Sequence, residues 1–554
     1  MSDPTHNSIS KIVNFILTKK VRAAFAIVLI LLLGLLVYWA IRPNDAPVWT
    51  GFGAQNGEGT LPRTIWNWME ILLIPAALLV AIWWWGRISR QNRLETASLD
   101  QAQSAVEAFV ERMTALILVQ GLRDSQEGDE VRTVARALTA TVLRNVDPMR
   151  KGHIVEFLYE SSLLDVRDPV LGLRKLELTG ANLKGYGLTS ASLQGADLRH
   201  ANLESADLST SDLRATRLDG ADLNQVWLQE AYLRGARLDH ANLKEAHLYA
   251  ATLTKASLVG ADLRGANLEG ANLSDADLSG ANLAGANLRD AKLRGAILRN
   301  ANLEHADLRL ANLSHADLED VILNNATLEG ANLSRVSLVN ANLKTALFGG
   351  AVMNDVILTR ADLRTANLNL ANLRGAKLNS ANLKGASLRD AILGRADLSG
   401  AILKESDLSR ANLSLATLRG SNLSQADLED AGLSGADLRG ADLRNSNARG
   451  AVFRGAILGS ADLRSAALNG ANLRWANLKD AKLRGADLTG ADMTDAEITR
   501  EQLTSAKSSA TTIVTDADPQ LQHGSESQEV PDNGEVVPDQ SVVMEKAEGD
   551  QALL

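Results

Sequence analysis

Residues 261–280 read ADLRGANLEGANLSDADLSG, four units of five with the same chemistry in each. Leu263, Leu268, Leu273 and Leu278 are the unit centres, and Ala261, Ala266, Ala271 and Ala276 stand two places before them. Between each pair lies Asp262, Asn267, Asn272 or Asp277, and the last two places of each unit carry small or charged residues. Followed outward in both directions, the phase runs without insertion or deletion from Leu173 to Leu503, sixty-seven centres. A short fixed period of this length identifies a repeat architecture before any local reading is attempted.

Five is neither the 3.6 of a helix nor the simple alternation of a strand. Within one unit the small residue and the centre are two apart, so in extended chain they face the same side, and the Asn or Asp between them faces the other. The remaining two places, such as Arg264-Gly265, suit a corner. Four corners close a square, so residue n stacks on n+20. The expected fold class is an all-β repeat domain, a quadrilateral parallel β-helix of about 17 coils and roughly 80 Å at strand spacing. Each buried Leu contributes about 2 kcal/mol, against about 1.5 kcal/mol per residue of ordering cost. One coil alone does not fold, so neighbours and end caps are required. The outward column Asn182, Asn202, Asp222, Asn242, Asp262, Asn282 and Asn302 admits two readings, side-chain ladders between coils and solvent-facing turn formers.

With its A(D/N)LXX pattern the chain resembles the pentapeptide-repeat family over about 60% of its length. The resemblance implies a right-handed hand for the β-helix. Departures are local: the centres become Phe348, Met353, Ala448 and Phe453, and the small place becomes Val226, Val321, Val336 or Val356. These are expected to distort the wall locally and leave the fold intact.

The apolar aromatic residues are segregated before the repeats. Residues 23–41 form an apolar run long enough to span a bilayer, preceded by Lys19, Lys20 and Arg22. A second span is expected over 65–86, with Trp66 and Trp68 at one end and Trp83, Trp84 and Trp85 at the other, as interfacial aromatic belts require. Lys and Arg crowd the 1–22 tail and follow residue 86, while the 42–64 loop holds only Arg42 and Arg63. This asymmetry predicts an integral protein of a bacterial inner or intracytoplasmic membrane, with an external loop and both termini cytoplasmic. Glu70 is the one carboxylate near hydrocarbon depth, either a functional group or one that reaches the interface.

Residues 87–172 switch to helical spacing. Leu99, Ala102, Val106, Phe109, Met113 and Leu116 form a short seam, offering either intramolecular packing or a surface for self-association. A second helix is expected from Asp129 with Val131, Val134, Leu138 and Val142 inward, broken at Asp147-Pro148, and a third over 151–164. The segments around Asp129–Arg136, Arg150 and Glu156–Glu160 resemble one that precedes the repeats in membrane-tethered bacterial relatives. Thr499 and Gln502 have capping-box spacing, predicting a short capping helix over 499–507 at the end of the 173–503 rod. The 508–554 tail, rich in Ser, Asp, Glu, Gln and Pro, reads as disordered and acidic.

The sequence carries no phosphate loop, no nucleophile–His set and no zinc motif, and it has no cysteine. His200, His240, His305 and His315 fall at outward corner places and His247 on a wall, too dispersed to share a metal. No enzyme activity, cofactor or metal is expected. Two function classes remain. One is a membrane-anchored, non-catalytic scaffold that presents the rod to cytoplasmic protein partners. The other is a nucleic-acid mimic, since a gyrase-binding branch of the resembled family imitates an acidic duplex. Basic and acidic residues nearly balance along the rod, which suits neither polyphosphate mimicry nor nucleic-acid binding. Candidate partner positions are those where an apolar group replaces the outward Asn or Asp: Leu347, Val352, Ile357, Val452 and Ile457, with Trp227 and Tyr232 nearer the membrane.

Overall fold

The computed structural model describes residues 74–507 and 513–514. The first span (23–41), Glu70 and the opening residues of the second (65–73) lie outside the described residues. Among the described residues no helix is long and apolar enough to cross a membrane. Helix α1 covers Ile74–Leu118, 45 residues. It passes residue 86 without a break, so the expected boundary between span and helical segment is not a change of secondary structure. The chain divides at Ala108–Phe109 into two units, each considered by itself below.

In the second unit the rod is four-sided and parallel, and its walls are built from single-residue bridges in the n to n+20 register: Asp262 pairs with Asn282, Asn282 with Asn302, and Asn267 with Asn287. The unit 261–265 shows how the backbone is satisfied. Ala261 N–H closes the preceding corner on Leu258 O at 3.0 Å. Asp262 N–H donates back one coil to Ala241 O at 3.0 Å, and Leu263 N–H donates forward to Asn282 O at 2.7 Å. Arg264 N–H is taken by the Asp262 carboxylate at 3.4 Å, and Gly265 N–H reaches Ala284 O at 3.1 Å. Three of five amides bind neighbouring coils, one closes a corner and one is capped by a side chain. All five are partnered, as buried backbone requires, and inter-coil bonding replaces what a single coil lacks.

The Leu centres and Ala places are buried throughout. Phe348, Met353 and Phe453 also sit fully inside, with their coil bonds intact at 2.7 Å each. The Val places keep the corner bond as well, at 3.2–3.3 Å for Val226, Val321, Val336 and Val356, close to the 3.2 Å of the Ala341 and Ala346 corners, so the fold stays intact there. Where Ser or Thr takes the small place, the buried hydroxyl finds a carbonyl. Ser406 Oγ donates to Leu403 O at 2.7 Å, and Thr216 Oγ1 to Leu193 O at 3.0 Å.

The last residue of each unit adopts positive φ, near +60°, whether Gly or not: Gly265, His200, Leu415 and Trp475 alike. A left-handed corner costs an L-residue about 1–2 kcal/mol. The rod accepts that cost repeatedly because three inter-coil bonds per unit over-determine the conformation.

Both ends are capped. Helix α2 (Glu130–Asn145) starts after Asp129 as expected, but its buried face is Ala135, Thr139, Val142 and Leu143, while Val134 is exposed. The face is rotated by about one position, with Val131 and Leu138 at its half-buried edge and Val142 kept inside. Helix α3 runs over Pro148–Glu160 rather than 151–164. The Asp147 side chain accepts from the Met149 and Arg150 amides and caps it, and Pro at the first helical place has no N–H to lose. The Asp147-Pro148 pair ends α2 and starts α3. Phe109, Met113 and Leu116 of the α1 seam are buried, with Phe109 edge-on to Phe157 at 6.0 Å. That half of the seam packs within the chain. Helix α3 sits on the first coil: Asn182 N–H donates to Pro148 O at 2.9 Å, and a Cβ on Gly152 would lie 2.2 Å from Asn182 O.

At the other end helix α4 (Arg500–Ser505) carries the full capping box of Thr499 and Gln502. Leu503 lies inside this helix, so the coils end near Ile498 and the last centre of the sequence phase is not a coil centre. Gln502 Nε2 donates to Leu478 O at 2.7 Å, which also closes its own corner on the Ala481 amide at 2.9 Å, and to Ala481 O at 2.8 Å, a carbonyl with no further coil to serve. Lys507 returns to the n+20 register opposite Asp487. Strand β1 (Asp492–Met493) then pairs in parallel with β2 (Ile513–Val514). The expected tail boundary at Ser508 therefore moves: Ile513–Val514 belong to the cap. Composition missed these two residues, because a two-residue β-branched pair does not register against a polar background.

Candidate interaction surfaces

Each wall presents one side chain per unit, and the predominant Asn or Asp caps its own corner. Ser314 N–H donates to Asn312 Oδ1 at 3.1 Å, Ser334 N–H to Asn332 Oδ1 at 3.0 Å, and the pattern repeats along the rod. Ladders between coils also occur, as from Asn242 Nδ2 to Asp222 Oδ1 at 2.8 Å and from Asn447 Nδ2 to Asp427 Oδ1 at 2.9 Å. Both sequence readings of this place hold, and corner capping is the more frequent.

Where Arg follows two places after Asp, the two lock in a fork. Arg444 Nε and Nη2 reach Asp442 at 2.8 and 2.7 Å, while Asp442 Oδ1 accepts the Arg444 amide at 3.1 Å. Arg364–Asp362 and Arg464–Asp462 repeat the arrangement. The guanidinium bonds, opposed by partial burial and aided by the amide, hold the Asp362, Asp442 and Asp462 carboxyls below their usual range. Charge balance in the rod is thus local.

The apolar candidate positions do not form one patch. Leu347, Val352 and Ile357 sit on three successive walls of a coil, and Val452 and Ile457 lie five coils further on. Leu347, Val352 and Ile457 are exposed, while Ile357 and Val452 are half-buried. Trp227 and Tyr232 are both about half exposed on adjacent walls. Trp227 stacks on His247 of the next coil, ring centroids 4.2 Å apart. His200 and His240 lie against the following corner glycines: a Cβ on Gly220 would be 2.7 Å from His200 Nδ1, and one on Gly260 would be 2.6 Å from His240 Nδ1. Large and small residues alternate up that corner. Among the described residues no cluster of His, Asp or Glu could hold a metal.

The repeat pattern does not mark the exposed apolar corner residues, because the corner place has no fixed residue type against which an apolar one stands out. Leu310, Leu370, Leu415 and Trp475 occupy the positive-φ place and are exposed. The guanidiniums of Arg454 and Arg474 lie over the Trp475 ring at 4.3 and 5.1 Å, and its Nε1 donates to Asp495 at 3.0 Å. A cavity of about 680 Å³ is lined by the start of helix α2, the 168–174 segment and Ser192 and Gln194, with Arg132 and Arg136 on its wall. Arg132 is spent on structure, donating to the Ser125 hydroxyl and carbonyl.

The family model of pentapeptide repeats matches residues 191–229, 231–270, 271–309 and 311–350, and in overlapping copies 357–495. This chain belongs to the pentapeptide-repeat family. Its fold is the family's right-handed quadrilateral β-helix. Among solved structures it is similar to HetL, a pentapeptide repeat protein involved in heterocyst differentiation regulation from the cyanobacterium Nostoc sp. strain PCC 7120, at 37% identity over 45% of this chain and 89% of that one, TM-score 0.14. It is also similar to Rfr23 from the cyanobacterium Cyanothece 51142, at 27% identity over 24% of this chain and 64% of that one, TM-score 0.13. A third is QnrB1, a plasmid-mediated fluoroquinolone resistance protein, at 17% identity over 42% and 92%, TM-score 0.16. At such TM-scores the superpositions add nothing to the fold, which stands on the n+20 register. No curated protein matches the chain.

Proposed function

We propose that this pentapeptide-repeat protein is a membrane-anchored, non-catalytic interaction scaffold. Two spans, 23–41 and 65–86, hold it in the bilayer, and the rod is presented to cytoplasmic protein partners. The observation that carries the reading is the internal satisfaction of the rod. Its backbone amides bind neighbouring coils, most of its wall Asn and Asp cap corners (Asn342 Oδ1 is an exception), and Asp362, Asp442 and Asp462 are forked by Arg. What remains for function is a long, rigid outer surface. The same forks disfavour the nucleic-acid mimic, because a carboxylate neutralised by its own Arg does not imitate phosphate.

Reporter domains inserted near Gln55 and fused after Leu554 test the anchored arrangement in cells. The reading expects them on opposite sides of a membrane, with the chain resisting extraction by salt and alkali. Both reporters on one side, or a chain released by salt, would overturn it.

A further inference from the structure

One corner of the rod differs from the other three. The place that follows the centre carries Lys344, Arg364, Lys384, Lys404, Arg444, Arg464 and Arg484, seven cations 20 or 40 residues apart, interrupted only by Ser424. The bridges from Asn342 through Asp362, Asn382, Ile402, Asn422, Asp442 and Asp462 to Lys482 place these residues one above another on a single edge. Four carboxylates meet them: Asp362, Glu405, Asp442 and Asp462. Cations are therefore in excess, and a groove of about 430 Å³ runs between Lys344, Arg364 and Lys384. Lower on the same edge the place is mixed, with Glu204, Asn224, Ala284, Glu304 and Asn324 among its residues.

The chain carries a matching anion. From residue 515 onward there are ten carboxylates, and Lys546 is the only Lys or Arg. Glu526, Glu529, Asp532 and Glu535 recur at intervals of three, with Pro531 and Pro538 among and after them. In an extended polyproline-type helix, residues three apart share a face at about 9.3 Å. Two coils of the rod rise about 9.6 Å at strand spacing. Cations on alternate coils, Arg484, Arg444, Lys404 and Arg364, thus repeat at nearly the interval of the four carboxylates. Arg444, Lys404 and Arg364 already hold Asp442, Glu405 and Asp362, so the attraction comes from the net excess of cations along the edge rather than from unpaired side chains. Strand β2 delivers the chain to the last coil at Val514. The 12 residues from there to Glu526 reach up to about 40 Å, enough to pass around the coil to Arg484.

We propose that the acidic segment 526–535 docks in cis along this basic edge, running back toward the helical cap. The edge is then occupied in the resting protein, and an acidic partner gains it only by displacing the tail. Tethering keeps the effective concentration of the segment high, so the competing partner must offer more charge or better geometry.

The chain has no cysteine, which makes paired labelling clean. Spin labels at Asn533→Cys and Gln425→Cys report the basic edge, and Asn533→Cys with Leu415→Cys reports the opposite corner at the same height. The docked arrangement predicts a shorter and narrower distance to Gln425 than to Leu415 at low ionic strength. The difference should vanish near 1 M salt, where screening is nearly complete. It should vanish equally in the variant Glu526→Gln, Glu529→Gln, Asp532→Asn, Glu535→Gln. It should persist when the same charge is removed at Asp516, Asp518, Glu545 and Glu548. All these tail substitutions lie outside the coils, so loss of folding does not confuse the result. Equal distances to the two corners, or equal effects of the two neutralisations, would overturn the proposal.

Discussion

Leu283 and Asn302 are joined by a hydrogen bond of 2.7 Å from the amide of the first to the carbonyl of the second, and Asn302 returns its own amide to Ala281 at 2.9 Å. This exchange makes the neighbour of any wall residue the one 20 places away rather than the one beside it in sequence. Surface columns and the consequences of substitution follow from that.

Leu303 is fully buried between coils. Leu303→Ala removes packing that the rigid walls cannot refill and is expected to cost about 2–5 kcal/mol. Leu303→Asp adds an unpaired charge and should cost more. Amide exchange should rise first in the coils that flank residue 303, since coils contact only their neighbours. Uniform loss along the rod would contradict this.

Gly152 touches the first coil where no side chain fits, so Gly152→Ala forces helix α3 away from Asn182. The expected result is lost amide protection at Asn182 and looser packing of Phe109 on Phe157, followed by fluorescence of a Trp placed at Phe157. The C-terminal coils should be unaffected.

The repeat, its four-sidedness, the n+20 stacking and the capping box at Thr499 were legible because each rests on one short, insistent pattern. The rotated face of α2 was not. Ala135 and Thr139 are inward, the Thr139 hydroxyl satisfied on the Ala135 carbonyl at 2.8 Å, and a hydropathy pattern ranks Val131 and Val134 above them. The basic edge was also hidden, since its members are 20 residues apart and meet only after the coil is closed. The exposed corner apolars were invisible for a related reason: the corner's positive φ makes Leu370 or Trp475 an unlikely occupant on local grounds.

Leu370 holds φ +61° and is exposed. Leu370→Gly should stabilise its coil by roughly 0.5–1 kcal/mol, the relieved left-handed cost less the extra unfolded-state freedom of Gly. Denaturant unfolding reads the change. A destabilised variant would show that the Leu370 side chain packs usefully in the folded protein.

Acid should weaken the rod in a defined window. Asp362, Asp442 and Asp462 have folded values below the unfolded carboxylate value, first because of their Arg forks. Their contribution is present above the unfolded value of about 3.9 and is lost as pH falls through the lower folded values. The thermal midpoint should be flat from pH 7 to about 5 and decline below 4. Asp442→Asn with Asp462→Asn, which keeps the corner caps, should flatten that decline.

The most direct test is cross-linking in this cysteine-free chain. Asn282→Cys with Asn302→Cys places two thiols on directly paired wall residues, within the Cα separation of about 4.4–6.8 Å that a disulfide tolerates. Asn282→Cys with Ile297→Cys, or with Asp307→Cys, places them on adjacent walls. Under mild oxidation the 282/302 pair is predicted to close and the other two to remain reduced. Closure of either offset pair in preference to 282/302 would contradict the 20-residue coil on which the columns, the basic edge and its docking all depend.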